Sequence, residues 1–515
     1  MKLEPRQPVI PHAEAAALCL VLALVAIQLF WPPMIGLASN GDFERLMHWG
    51  KFEYVTNDDS EKYFNWVNRD FRIAQNPWTA WRGFGSSEVV FVKLSAIVGD
   101  WLIRGGGFDL RIIGVIHLLA FVAALWLLMQ GWRVAMRLSP LYLLPGILLI
   151  FCDVGYTAYF NSFYSEPASL IFLLAMVGTG LAITPLEHRR MGLLLFFLSA
   201  GLFIAAKPQN FALIPPLLLF CVRLFQLYRK SHQRAITVAF ALALMAAPLA
   251  LNIIAPWYTN NGRYQSTFYG ILKDSSDPAA DLRDLGLDPK FAVLANTTIF
   301  HTNLPVDIKS TEFQQQFYQR INHFKIAKFY LTHPSRSLTK LKVTARNGYN
   351  LRLNLGNYEK STALPARTES HRWSVWSSFK QQYWPKSLWL LAGYWLLLLA
   401  LLLKGYRQSS RPERTLRDFF LMLWLMMLAA FVTPMLGDGE SDLIKHLFLF
   451  NVLFDLSLLL LSGLALAKLW PVVSGMLQSR TLSSSTHQTL LAQPTNAANL
   501  IHYFNRRILN VRTHF

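Results

Sequence analysis

The sequence predicts an all-α polytopic membrane protein of about ten transmembrane helices. It also predicts a mostly helical extracytoplasmic domain and a surface helix in the first outside loop. Three observations carry this. Of 515 residues, 53% are hydrophobic and only 15% charged, where a soluble chain carries about a quarter. The apolar residues come in long blocks, many near the roughly 20 residues needed to cross a bilayer. Basic residues also concentrate in alternate short loops, the bias that orients membrane helices.

The blocks fall at about 15–35, 112–130, 138–153, 166–184, 193–206, 210–226, 236–256, 387–403, 417–436 and 446–468. Lys2 and Arg6 precede the first. Gly36-Leu37-Ala38 after it imitates a cleavage site, but the run is too long for a signal core and Pro32-Pro33 lies near its end, so an uncleaved span is expected. The runs at 138–153, 193–206 and 210–226 are short, as re-entrant or half-buried helices are.

With the N-terminus inside, the inside loops hold Arg133 and Arg137; Arg189 and Arg190; Arg229, Lys230 and Arg234; and Lys404, Arg407, Arg411 and Arg414. The short outside loops at 153–165, 206–210 and 437–445 hold only Lys207 and Lys445. Both termini are therefore expected in the cytoplasm. Four parts result: an N-terminal membrane module (1–256) with its first outside loop at 36–111, an extracytoplasmic domain (257–386), a C-terminal membrane module (387–469) and a cytoplasmic tail (470–515). The tail is rich in Ser, Thr, Gln and Asn and then basic, so partial disorder is expected.

The first outside loop is dense in aromatics, among them Phe43, Trp49, Tyr54, Tyr63, Phe64, Trp66, Trp78, Trp81 and Phe84. Within it, Val89 to Ile103 repeats apolar residues at helical spacing, as an interfacial helix does. In the later insert, Phe313, Phe317, Ile321, Phe324 and Phe329 follow a helix face, and Thr332 before Pro334 reads as a cap and first-turn pair.

The 49 Lys and Arg against 30 Asp and Glu give a net charge of +19. Positive-inside loops and anionic lipid account for much of it, and no nucleic-acid-reading pattern accompanies it. Cys19, Cys152 and Cys221 all lie in or beside apolar runs, so neither a disulfide framework nor a cysteine metal cluster is expected. No phosphate-binding loop, dinucleotide fingerprint, zinc-protease pattern or nucleophile elbow is present at a suitable place.

Polar residues that can carry chemistry gather where apolar runs end, and the topology puts them all outside. Asp42 and Glu44 in Asn40-Gly41-Asp42-Phe43-Glu44-Arg45 follow the first span. A carboxylate there is partly desolvated, which suits a general base toward an acceptor hydroxyl; the plainer reading is a helix cap. Glu44, two residues on, falls on another face if the stretch is helical and is expected to be a supporting or solvent-facing group. Asn161 and Glu166 lie in Tyr159-Phe-Asn-Ser-Phe-Tyr-Ser-Glu-Pro167, where Glu166 either caps a span or serves as a second acid. Lys207, followed by Gln209 and Asn210, either snorkels to the interface or grips the phosphate of a lipid-linked donor with help from the two amides. Lys445-His446 opens the last span, as an anchor, as a partner for phosphate, or as charge balance for Asp438, which stands with Glu440 and Asp442. Asp455, inside that span, is expected to pair with another polar group. Asp58-Asp59 resembles a metal pair, but in a polar loop is more simply solvated.

Together these features resemble the GT-C superfamily of polytopic glycosyltransferases. Asn40-Gly41-Asp42-Phe43, the Tyr159–Pro167 stretch, and Phe268-Tyr-Gly-Ile-Leu-Lys-Asp with Leu285-Gly-Leu-Asp288 are most similar to the bacterial glycan-biosynthesis hexose transferase (WsfD-like) family. The resemblance covers most of 15–468. It implies inverting transfer of a hexose-type sugar from a polyprenyl-phosphate donor to a glycan or lipid acceptor at the outer face of the bacterial cytoplasmic membrane. It places the catalytic acid at Asp42 and a second at Glu166 or Glu44. Asp-Phe-Glu stands where many such enzymes have adjacent acids or Asp-x-Asp, which leaves a divalent metal open. Two other readings stand beside it. A flippase or transporter of lipid-linked glycans calls for polar groups through the membrane depth and repeated halves. A lipid-linked glycan polymerase or ligase would rely on basic loop residues such as Arg346, Arg352 or His371.

Overall fold

A computed structural model describes residues 11–74, 85–103, 105–185, 190–228, 230–254 and 256–486. Lys2, Arg6, Trp78, Trp81, Phe84, Arg189, Arg229 and the tail from 487 lie outside the described residues. The chain divides into two compact units, Met1–Ser462 and Gly463–Phe515. In the second, the described residues (463–486) are helical. Residues 257–386 belong to the first unit together with the apolar helices preceding them.

The elements that position the site are, in order, α1 (Pro11–Phe30), α2 (Glu44–Gly50), β1 (Phe52–Tyr54), β2 (Asp70–Ile73), α3 (Val89–Leu102), β3 (Gly107–Asp109) and α4 (Arg111–Met136). Next come α5 (Glu166–Ile183), α6 (Arg190–Ile204), α7 (Ile214–Leu227), α8 (Ser231–Ile254), α9 (Pro256–Tyr264), α10 (His323–Thr332) and α11 (Pro334–Asn347). The chain continues through α12 (Val375–Gln382), α13 (Leu388–Leu403), α14 (Arg411–Asp438), α15 (Leu443–His446) and α16 (Phe448–Thr486).

Among the described residues, 8 helices are long and apolar enough to cross a membrane, or 9 when a bent pair counts as one span. This is a multi-pass membrane protein. The expected ten reduce for local reasons. The run at 138–153 breaks into Pro140–Phe151 and Val154–Phe160, bent by 69°. The bend falls where Asp153 turns its carboxylate back onto the Gly155 N–H at 2.8 Å. The run at 193–206 forms only the short helix Met191–Ile204, stopped before Lys207-Pro208. The run at 210–226 gains a leading 3₁₀ turn and reaches span length as Pro208–Leu227.

α5 is apolar all round and almost wholly buried, so it is the central helix of the bundle. It meets α4 through glycines: a methyl on Gly131 would overlap the Gly178 backbone, and one on Gly178 would overlap Leu127 and Leu128. Small residues permit such close approach between membrane helices. Gly178→Leu is accordingly expected to lower the protein's thermal midpoint in detergent, by the equivalent of about 1–3 kcal/mol from overpacking. Gly393→Leu, on α13 with open space around its Cα, should leave the midpoint unchanged.

The first loop holds a feature the all-α expectation lacks. β1, β2 and β3 form an antiparallel sheet in that order, with Phe52 opposite Ile73 and Phe71 opposite Phe108. α3 is the expected surface helix: Phe91, Val92, Ser95 and Gly99 are buried, while Val90, Leu94, Ile97 and Trp101 face outward. In the later segment, Phe313, Phe317, Ile321 and Phe329 are buried but Phe324 is exposed. One continuous helix is not formed there, because the chain turns between Tyr318 and His323. Pro334 opens α11 as expected, but Thr332 is the last residue of α10, bonding back to Lys328 and Phe329 carbonyls.

Candidate functional site

The Asn40-Gly41-Asp42 turn leaves α1 as a well-held strap. Gly36 and Ala38 donate to the Asn357 and Gly356 carbonyls at 3.1 and 3.0 Å, and the Asn357 amide donates to Gly36 O at 2.8 Å. The stretch that imitates a cleavage site is thus buried and clamped. Gly41 has φ +97°, a conformation that L side chains rarely adopt, and the Asp42 N–H donates to Asn40 Oδ1 at 3.3 Å. Phe43 anchors the turn, its ring 5.7 Å from Phe163 and 4.7 Å from Tyr164. Phe163 in turn packs on Phe52 and Phe71 of the sheet, each at 5.1 Å. The sheet therefore supports Asp42 through aromatic packing. The Tyr164 hydroxyl donates to Ala38 O at 2.9 Å and accepts from the Asn40 N–H at 2.8 Å. Two stretches more than a hundred residues apart in sequence are locked into one wall.

Asp42 opens into a cavity built from helix ends. Its other charged walls are Arg45, Glu166 at the start of α5, Lys207 before Pro208–Leu227, Asp438 ending α14, Asp442, and Lys445 of α15. His446, Tyr164, Asn261, Gln265 and Ser441 add neutral polar groups, and Leu46, Phe163 and Phe300 apolar ones. Asp42 pairs with Arg45 at 3.0 Å and with the buried Lys445. Lys445 Nζ also lies 4.3 Å above the Tyr164 ring centre and 3.3 Å from Asn40 Oδ1. Burial would raise the Asp42 pKa, but the Lys445 and Arg45 charges outweigh it and hold the carboxyl well below the usual carboxylate range. Asp42 is therefore ionised at neutral pH.

Lys207 Nζ bonds Glu166 Oε1 at 2.9 Å. His446 approaches Asp438 at 3.7 Å and Gln209 Oε1 at 3.2 Å through Nδ1, while the Gln209 amide donates to His446 O at 2.7 Å. Burial, then the charges of Lys207 and Lys445, push His446 well below the ordinary imidazole range. With the ring neutral, His446 serves as a hydrogen-bonding group toward Gln209.

Asp42, Glu166, Lys207, Lys445 and His446 thus line one cavity. The others do not. Glu44 bonds the Tyr63 hydroxyl, off the cavity. Asn161 is buried and donates to Ile35 O at 2.6 Å. Asn210 donates to Phe203 O at 2.8 Å and Ser169 Oγ at 3.3 Å, splinting α5 to the neighbouring turn. Gln209 acts through His446. Asp58 caps a short turn through Ser60 N at 2.9 Å, and Asp59 pairs with Lys62. Arg352 is paired with Glu369 at 3.1 Å. Among the described residues, no group of three or more His, Cys, Asp or Glu is arranged to hold a metal ion.

Two contributions escape a reading by sequence stretch. Asn261 and Gln265 come from the later insert, and the signal was their place directly after the apolar run ending at 256. Glu88 and His117 form a fully buried pair, Nε2 to Oε1 at 2.7 Å. Glu88 Oε2 accepts the Ala168 N–H at 3.0 Å and His117 Nδ1 meets Phe160 O at 2.8 Å. An acid there satisfies an orphan N–H in the first turn of α5 and fixes the helix end that carries Glu166.

The family model described as the YfdI N-terminal transmembrane domain matches residues 6–481. The chain belongs to that family. The matched residues include every residue that lines the cavity described above. No curated protein and no solved structure matches the chain.

Proposed function

We propose that this YfdI-family protein is an integral-membrane glycosyltransferase of the GT-C kind, with features most like the WsfD-like hexose transferases. It moves a hexose-type sugar, with inversion, from a polyprenyl-phosphate donor to a cell-envelope glycan or lipid at the outer face of the bacterial cytoplasmic membrane. The observation that carries this is the convergence of Asp42, Glu166, Lys207, Lys445 and His446, from four separate parts of the sequence, on one cavity.

In the proposed reaction, the acceptor oxygen attacks the anomeric carbon from the face opposite the phosphate. The bond from that carbon to the phosphate oxygen breaks, its electron pair leaves with the phosphate, and the acceptor proton passes to Asp42. Arg45, Lys207 and Lys445 line the cavity where that phosphate would bind, and cations there stabilise the leaving charge. Paired with Lys445 and Arg45, Asp42 is a weak base. A phosphate that draws these cations toward itself raises the basicity of Asp42, so donor binding prepares the base.

Lys207→Ala is expected to weaken donor binding about ten- to hundredfold, the value of a lost charged hydrogen bond of about 1.5–3 kcal/mol. Equilibrium binding of a polyprenyl-phosphate hexose to the protein in nanodiscs checks it. Because the change also leaves Glu166 unpaired, Lys207→Ala/Glu166→Gln should bind just as weakly. Unchanged affinity in both variants removes Lys207 from the phosphate site.

A further inference from the structure

A second cavity, of about 390 Å³, adjoins the first and shares Asp442 and Lys445 with it. Asn40, whose carboxamide donates to Asp442 at 3.2 Å and accepts from Lys445, stands in its wall. The two cavities therefore meet at Lys445, the partner of Asp42. The cations of the second cavity are already engaged, Lys445 by Asp42 and Lys273 by Glu440. Glu440 is bonded by Lys273 at 2.5 Å and by Lys340 at 2.6 Å, and Lys340 also meets Asp274 at 2.7 Å. What remains for a ligand is a set of carboxamides between short apolar patches. Asn347 spends one amide hydrogen on Val343 O at 2.9 Å, keeping its oxygen and second hydrogen, and Asn354 is exposed between Leu353 and Leu355. A phosphate would find both cations of the wall, Lys273 and Lys445, already paired with carboxylates and would face Asp442 as well, and a purely apolar chain would strand the amides. Carboxamides beside leucines suit a neutral polyhydroxylated ring, whose hydroxyls both donate and accept while its C–H faces need apolar contact. The volume falls within the range of about 300–1,000 Å³ usual for small-molecule sites.

We infer that this second cavity binds the acceptor, and that the acceptor is a saccharide. Its attacking hydroxyl is presented past Asn40 to Asp42. The assignment of the ligand as acceptor rests on the transferase reading; the saccharide site itself does not.

The test uses the full chain in nanodiscs, without donor, and saturation-transfer NMR with lactose, maltotriose, chitobiose and a rhamnosyl-hexose disaccharide as probes. At least one probe is expected to take up saturation from the wild type. Asn354→Trp, which fills the cavity, should abolish that signal, and Asn354→Ala, a milder change, should weaken binding about tenfold for the loss of one to two hydrogen bonds. Lys207→Ala should leave it intact. No signal from any probe, or an unchanged signal in Asn354→Trp, overturns the inference. Where a sugar-transfer assay is running, Asn354→Ala should raise the acceptor KM about tenfold and leave the donor KM alone. Transfer with an unaltered acceptor KM sinks the acceptor site but not the transferase. Saccharide binding lost in Asn354→Trp, without transfer from any polyprenyl-phosphate hexose in the wild type, sinks the transferase but not the site.

Discussion

Asp42→Asn is expected to reduce sugar transfer by about 10²–10⁴-fold, the usual contribution of a positioned general base, while the protein accumulates in the membrane normally. Asparagine keeps the size of the side chain and one oxygen to accept from Lys445 and Arg45, so the Asn40–Phe43 turn and its aromatic anchor on Phe163 and Tyr164 survive. What is lost is the group that takes the proton. The comparison that decides the assignment is with two other acids. Glu44→Gln should be near wild type, because Glu44 is bonded to Tyr63 outside the cavity. Glu166→Gln should weaken transfer less than Asp42→Asn, since it removes the partner of Lys207 rather than the base. Turnover by the purified protein, with donor and acceptor both saturating, separates the three. An active Asp42→Asn beside an inactive Glu166→Gln would move the base to Glu166.

The ordering of these acids shows what the sequence carried and what it did not. Residues at the ends of apolar runs were legible because a membrane fixes the depth of a helix end. Asp42, Glu166, Lys207 and Lys445 each follow or begin such a run, and alternate loop charge put them on one side. What a given polar side chain does at that depth was not legible, because its partner is distant in sequence. Asn161 and Asn210 sit in the same motifs as Glu166 and Lys207, yet their amides are used on Ile35 and Phe203 carbonyls. The small sheet was invisible for a different reason. Its strands have three and four residues, too few for a period-two pattern to stand out, and they gain order from Phe163, which arrives from another part of the chain. Glu88 and His117 are separated by the whole of α3 and the third strand, so nothing local marked them as a pair.

The buried pair of Lys380 and Asp455 gives the largest stability effect expected outside the cavity. Both side chains are fully buried, with Lys380 Nζ 2.9 Å from Asp455 Oδ1 and 2.6 Å from Asn451 Oδ1. Asp455 Oδ2 also accepts from the Tyr156 hydroxyl at 2.6 Å and Trp376 Nε1 at 2.8 Å. These bonds tie α12 and the Val154–Phe160 turn to α16, which begins two residues after His446. Removing one ion of a buried pair strands the other, at a cost of about 3–5 kcal/mol, whereas removing both is often nearly neutral. Lys380→Met is therefore expected to lower the thermal midpoint in detergent far more than Lys380→Met/Asp455→Asn, in which the new amide still accepts from Tyr156 and Trp376. The order of the midpoints is what matters: wild type highest, the double variant next, the single lysine variant lowest. A double variant no better than the single would mean that the network holds by hydrogen bonds alone and that its charges contribute nothing. Because α15 hangs on the start of α16, the same ranking should appear in donor affinity: the loosened single variant lets Lys445 and His446 drift from Asp42 and Asp438, and the double variant restores them.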